Sequence, residues 1–167
     1  GGYGNFCRLL FALGFKGQYV IFDLPHFSAL QYFYLNAVGL PVDAAATPGR
    51  GGVTLVSSRD DANRILQSAD LADSLFVGTW SLSETPLDSR GWIEKYLVRF
   101  SRILLAYQNE FCGIDNSDHF SRVRRQLRAT HACCVEDIAH IPGNSYLFAN
   151  GGTSQLSEQI GVQGADS

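Results

Sequence analysis

No apolar run in this chain approaches the roughly 18 to 20 residues that a helix needs to span a bilayer, so membrane insertion is not expected. Metal-ligand spacing is also missing. Cys7, Cys112, Cys133 and Cys134 form no CxxC and stand in no Cys/His pattern, and no His/Asp/Glu cluster has convincing metal spacing. The cysteines therefore read as small buried hydrophobes, and no metal is expected. A nucleophile elbow of the G-x-S-x-G type is absent, which argues against a covalent intermediate. Without a secretory apolar region and cleavage site, the default expectation is a reduced, cytoplasmic protein.

Excess positive charge is lacking as well. A formal net charge of -3 gives no basic footprint for nucleic acid. The one basic cluster, Arg122, Arg124, Arg125 and Arg128, falls in a helix-like stretch with no interleaved aromatics to stack bases, and reads as a solvated helix face. What is present is 167 residues of ordinary globular composition, enough for one domain with a core between two or three layers.

The chain opens on Gly1-Gly2-Tyr3-Gly4 and runs into Asn5 to Leu13, whose apolar residues recur at helical spacing and stop at Gly14. Gln18 to Asp23 is a short, nearly continuous apolar run ended by an acid, as expected of a strand covered on both faces. Phe27 to Val38 is aromatic-rich but helical in period, with Phe27, Leu30, Tyr34 and Val38 as the expected core stripe. Pro41 to Gly52 reads as an exposed, mobile connector, Val53 to Val56 as a strand, and a short helix reaches Ser68.

Further strands are expected at Ser74 to Thr79 and Arg102 to Tyr107, with helices at about Leu87 to Val98 and Ser117 to Leu127. Thr130 to Asp137 and Ser145 to Ala149 complete the pattern, joined by Ile141-Pro142-Gly143-Asn144. Strands alternating with helices imply an α/β fold with a mostly parallel, Rossmann-like sheet, whereas a pair joined by a short turn must be antiparallel. Residues 1–150 would form the domain and 151–167 a disordered tail.

A glycine loop ahead of a helix lets backbone N–H groups approach a ligand, and Gly1, Gly2, Tyr3 and Gly4 are the candidates. Asp23 follows by about twenty residues at the end of the next strand, where a carboxylate can accept both hydrogen bonds of a ribose diol. Leu24 adjoins it; Asp23 can equally be a turn or helix-start aspartate. Ser57, Ser58 and Asp60 occupy the same end of the third strand, suited to an adenine edge or to plain turn chemistry.

Thr79, Trp80, Ser81, Ser83 and Glu84 lie beyond the fourth strand. Trp80 can wall a cationic ligand and Glu84 can act as a base, or Trp80 is core and Glu84 an acid before the next helix. Gln108, Asp115 and Asn116 extend the fifth strand into a polar loop suited to an acceptor's hydroxyls, though Asp115 or Asn116 can be a helix N-cap. His140 has a side chain fit for proton transfer near neutrality, or is structural; His26 is a further possibility near the cofactor, and His119 reads as helix surface.

The segments GGYGN, VIFDLP, LFVGTWSLSETP, ILLAYQNEFCGIDN and HIPGNSYLFA, in that order, resemble the sugar O-methyltransferase family across nearly everything before the tail. The resemblance implies a methyltransferase variant of the Rossmann-like sheet with a C-terminal antiparallel hairpin. It also implies S-adenosylmethionine as cofactor and methyl transfer to a hydroxyl of a sugar or glycoconjugate. Gly1, Gly2, Gly4 and Asp23 fall on its cofactor positions, and Thr79 to Glu84 on the rim facing donor and acceptor. Members carry a strand ending in an acid before the glycines, so the sheet is expected to lack its first strand here, and two neighbours their partner. An NAD-dependent oxidoreductase and a non-catalytic nucleotide- or glycan-binding fragment are the alternatives.

Overall fold

The computed structural model describes residues 2–40, 42–43 and 51–151, and the chain divides into two compact units, Gly1–Ala69 and Asp70–Ser167. In the first, α1 (Asn5–Ala12) stops at Leu13, with Gly14 beyond it at φ 96, the left-handed conformation the sequence anticipated there. Strand β1 (Gln18–Phe22) leads to α2 (Pro25–Ala37), which begins two residues earlier than expected because Pro25 occupies its first turn, where a missing N–H costs nothing. Strands β2 (Val42–Asp43) and β3 (Gly52–Val56) follow, then α3 (Arg59–Ser68).

The three strands form a parallel sheet in the order β1-β3-β2, with Gln18 opposite Gly52 and Phe22 opposite Val56. Strand β2 lies in the stretch read as a connector; the rest of that stretch, 41 and 44–50, is outside the described residues. Two residues pairing with Val53 and Thr54 are too short to leave a periodic signal.

The core of this unit joins Cys7, Ile21, Leu35, Val53 and Leu55. Helix α2 turns a different face inward from the one expected: Phe27, Leu30 and Val38 are exposed and Tyr34 is half-buried, while Gln31 and Leu35 are fully buried. Aromatic and apolar residues stand all round this helix, so its own periodicity does not single out one face.

The cysteines also divide. Cys7 is buried, Cys133 half-buried, and Cys112 and Cys134 are exposed, so the expectation of four buried thiols holds fully only for Cys7. Burial pushes the Cys7 thiol up to about 11. Burial also raises Tyr19 to about 12, helped by the charge that Cys7 acquires on ionising. Both groups keep their protons more tightly when folded. Their stabilisation is therefore complete below the unfolded pKa values and is lost as pH rises through about 9 to 12. At neutral pH a thiol reagent should label Cys134 and Cys112 promptly and Cys7 only in denaturant, and the urea midpoint should fall through that alkaline window. Equal labelling rates for Cys7 and Cys134 would contradict the burial assigned to Cys7.

In the second unit β4 (Leu75–Thr79), α4 (Leu87–Leu97) and β5 (Arg102–Gln108) precede a small hairpin, β6 (Glu110–Phe111) and β7 (Ile114–Asp115). The hairpin had been read as loop. Its two-residue turn places Cys112 at φ 49 and Gly113 at φ 78, the double left-handed arrangement that matches strand twist. Helix α5 (Asn116–Leu127), β8 (His131–Asp137) and β9 (Asn144–Gly151) complete the unit, with Gly151 in the strand and not in a tail. Residues 152–167 are outside the described residues.

The sheet runs β4-β5-β9-β8, parallel between β4 and β5 and antiparallel at both later pairings; the short Pro-Gly turn required this of β8 and β9. Register places Leu147 between Leu105 and Val135, and the core gathers Ile103, Leu105, Phe120, Val123, Leu127 and Leu147. Strands β1 and β4 each form an edge of their own sheet.

His119 is not surface. It is buried, with Nε2 2.7 Å from Glu94 Oε1 across from α5 to α4. The basic face of α5 is solvated at Arg122, Arg125 and Arg128, but Arg124 is half-buried with its Nε enclosed. No helix among the described residues is long and apolar enough to cross a membrane, and none of their His, Cys, Asp and Glu side chains form a metal-holding cluster.

Candidate functional site

Two sets of polar residues stand at strand C-terminal ends, one in each unit. In the first unit Gly2 has φ 66 and Gly4 φ 101, the latter as the N-cap of α1. A Cβ on Gly4 would press on Leu35 at 3.1 to 3.3 Å and be strained by its φ, so both backbone shape and packing ask for glycine. Nothing lies within 4 Å of where a Gly2 Cβ would be, leaving the backbone there open. Gly1 is outside the described residues, and Tyr3 is exposed with its ring edge-on to Tyr34 at 4.9 Å.

Asp23 follows β1 with its backbone N–H bonded to Val56 O at 3.0 Å, which anchors the acid at the end of the sheet. Its Oδ1 accepts from the Leu24 N–H at 2.9 Å and its Oδ2 from Gln31 Nε2 at 2.9 Å. The same Gln31 nitrogen donates to Gly2 O at 2.7 Å, so one buried amide ties the carboxylate to the glycine loop. Gln31 Oε1 is buried with no hydrogen-bond partner. Sequence reading missed Gln31 because it assigned α2 the wrong inner face; a lone glutamine at i+8 from the acid carries no motif.

Ser57 and Ser58 are exposed beyond β3, and Ser58 caps α3 by accepting from the Asp61 N–H at 3.4 Å. The turn-chemistry alternative for Ser58 is thus present in the structure. His26 is exposed beside Phe27.

In the second unit the rim follows β4 and β5. Trp80 adopts φ 61, rare for a residue with a bulky side chain and worth about 1–3 kcal/mol of strain. Its N–H bonds Ala106 O at 2.7 Å, and its indole Nε1 donates to Asn144 Oδ1 at 2.7 Å. Asn144 had been read only as part of a turn; it stands opposite Gln108 in the β5–β9 ladder. Thr79, Ser81 and Glu84 are exposed, with the Glu84 N–H bonded to Trp80 O at 3.0 Å.

Ser83 and Asn116, expected to meet an acceptor, are fully buried. Ser83 Oγ lies 2.9 Å from Trp80 O and 2.6 Å from the Gln108 side-chain amide, while Asn116 serves Arg90 and the Ser83 carbonyl. Gln108 is half-buried; Asp115 caps α5 by accepting from the Asp118 N–H at 2.9 Å. The structure therefore brings Trp80, Ser83, Gln108 and Asn116 into one connected network and leaves Ser81 and Glu84 facing solvent. His140 is exposed just after β8. Burial raises the Tyr107 hydroxyl pKa, partly offset by its bond to Ser145, which in turn donates to Asp137 Oδ1 at 2.9 Å.

A parallel strand ended by Asp23 after a glycine turn, and an antiparallel final strand pair in the second unit, accord with a Rossmann-like α/β fold, and solved structures with a methyltransferase-like fold agree. The chain is similar to a protein assigned as an rRNA methylase from Clostridium thermocellum, with TM-score 0.66 and 14% identity over 90% of this chain and 82% of that one. It is also similar to an rRNA methylase from Streptococcus thermophilus, with TM-score 0.57 and 13% identity over 90% and 83% of the two chains. A chain of the Pnkp1/Rnl/Hen1 RNA repair complex matches with TM-score 0.61 and 9% identity, covering 89% of this chain and 35% of that one. No protein-family profile and no curated sequence matches.

Proposed function

We propose that the chain is an S-adenosylmethionine-dependent O-methyltransferase acting on a sugar hydroxyl. The observation that carries this reading is Asp23: a carboxylate at the C-terminal end of a parallel strand, linked through Gln31 to the open backbone of the glycine loop. A carboxylate at this end of a parallel strand suits acceptance from the two hydroxyls of a ribose. Gly2 offers uncovered backbone beside it, and Ser57 offers a polar contact for an adenine edge. These residues fit the nucleoside part of S-adenosylmethionine.

When bound, S-adenosylmethionine supplies a methyl group made electrophilic by its sulfonium. The chain's own work is positioning and proton removal. Glu84, exposed and carboxylic, is the proposed base that takes the acceptor hydroxyl's proton, with His140 as the second candidate. Trp80 offers an aromatic face to positive charge, and Thr79 and Ser81 offer hydroxyls to the ligands. Asp115 and Gln108 remain candidates for acceptor contacts. Ser58, Ser83 and Asn116 hold backbone or network bonds, so their proposed part in binding is to shape the loops around it.

A second reading, RNA as the acceptor, is favoured by the rRNA methylases among the similar folds. Against it stand the net charge of -3 and a basic face confined to α5. Calorimetric titration with S-adenosylhomocysteine and with NAD separates the classes. Heat with the former alone is expected; heat with NAD alone would make the chain an oxidoreductase, and silence with both would leave a non-catalytic binding fragment. Labelled-methyl transfer to a saccharide panel and to rRNA fragments then identifies the acceptor, with incorporation into saccharide expected and incorporation into RNA alone overturning that choice.

A further inference from the structure

We propose that Arg90 is a positioning residue that holds the turn from Thr79 to Thr85 in the conformation presenting Trp80, Ser81 and Glu84. It deepens the methyltransferase reading and rests on it for its functional consequence. Arg90, on the first turns of α4, is fully buried, an expensive placement for a guanidinium. Its nitrogens converge on the turn and on the start of α5. Nε donates to Thr85 O at 2.7 Å, Nη2 to Ser83 O at 2.9 Å and Nη1 to Asn116 Oδ1 at 2.8 Å. Asn116 Nδ2 returns to Ser83 O at 3.2 Å, closing a ring of bonds.

From Ser83 the chain of contacts continues to Trp80. Ser83 Oγ sits 2.9 Å from Trp80 O, the carbonyl that also receives the Glu84 N–H at 3.0 Å. Trp80 is the residue held at φ 61. A left-handed backbone at a tryptophan persists only where its surroundings over-determine it, and the planar fork of Arg90 supplies two of the fixed points on the turn that follows. An apolar side chain of the same size would fill the space but would leave the Ser83 and Thr85 carbonyls without these donors. The guanidinium also lies 5.9 Å over the Phe120 ring, so its plane is set by packing as well as by hydrogen bonds.

Shape alone does not require this arrangement, since a turn of ordinary backbone could join β4 to α4 without a buried charge. What the charge accomplishes is to aim the turn. Released from Arg90, the turn can relax Trp80 out of the left-handed region, and the exposed side chains on either side of it, Ser81 and Glu84, move with the backbone.

The sequence has two tryptophans, so Trp92→Phe makes Trp80 the single emitter in the full chain. In that background Arg90→Lys keeps a charge but loses the fork. The folded variant should show red-shifted Trp80 emission and increased acrylamide quenching, with kcat for methyl transfer down by about 100-fold, the scale of an ångström's misplacement. Affinity for S-adenosylhomocysteine, which carries no sulfonium charge and is held chiefly at Asp23, should fall far less than kcat. A lowered melting temperature with Trp80 emission, quenching and kcat as in the parent would assign Arg90 a purely structural role and overturn the proposal. If Arg90→Lys does not fold, Asn116→Ala, which removes the Nη1 acceptor, must show the same fluorescence change; an unchanged spectrum would be equally fatal. If the parent transfers no methyl group, the methyltransferase reading fails, while the fluorescence arm still decides whether Arg90 sets Trp80.

Discussion

Asp23→Ala is expected to weaken S-adenosylhomocysteine binding by about 10²- to 10⁴-fold, the largest effect of any single substitution on the ligand. A ribose diol donating to a carboxylate makes two charge-assisted bonds, each worth about 1.5–3 kcal/mol, and every 1.4 kcal/mol is about a factor of ten. The same carboxylate also accepts from Leu24 and Gln31, so its loss frees the amide that grips Gly2 O. Asp23→Asn separates the two contributions, because it keeps the shape but loses the charge and one acceptor; an intermediate loss is expected. Calorimetry gives the affinities and circular dichroism confirms that α2 is intact. Parent-like affinity in Asp23→Ala would remove the carboxylate from the cofactor site and return it to the role of a turn residue.

Leu147→Ala should destabilise the second unit by about 2–5 kcal/mol, the usual cost of emptying a fully enclosed leucine site. Its neighbour provides the control. Phe148 points to the opposite face of β9 and is 40% exposed, so Phe148→Ala should cost less than the leucine change although it removes a larger side chain. Urea unfolding with an unchanged m-value reads both. The consequence reaches the rim, because the register that puts Leu147 between Leu105 and Val135 also puts Asn144 opposite Gln108 and Ser145 opposite Tyr107. A slip by one residue would expose Leu147 and turn Ser145 away from the face it shares with Leu147. Equal costs for the two substitutions would refute the register.

Much of this architecture was legible locally. The run Gln18 to Phe22 ending at Asp23, the stop at Gly14 and the Pro-Gly turn before β9 are short-range signals, carried by backbone preferences that do not depend on distant partners. The caps at Ser58 and Asp115 belong to the same class, and for both the turn or cap alternative is realised. Asp115 also ends the second strand of the small hairpin turned by Cys112 and Gly113, which went unread because its strands are two residues each.

The errors share a cause. His119 was placed on the surface from its polarity, yet Glu94, one helix away, supplies the partner that allows it to be buried. Arg90 drew no attention in the sequence because its acceptors are two carbonyls and an asparagine 26 positions on. Asn144 meets the Trp80 indole across 64 positions. Phe27, Leu30 and Val38 were assigned to the core because they fit a helical stripe, but so do Gln31 and Leu35.

The sequence by itself determined where the longer strands and helices lie, though not the two-residue strands β2, β6 and β7; it also determined that the final strand pair is antiparallel and that an acid follows β1. These follow from periodicity, glycine and proline geometry and chain connectivity, all of which act over a few residues. Tertiary structure alone decided which face of α2 is inward, that Gln31 joins Asp23 to the glycine loop, and that a buried arginine braces a strained tryptophan. Those outcomes depend on pairing buried polar atoms between segments far apart in the chain, and the free energy of such a pair is set by burial and partner geometry that no local pattern encodes.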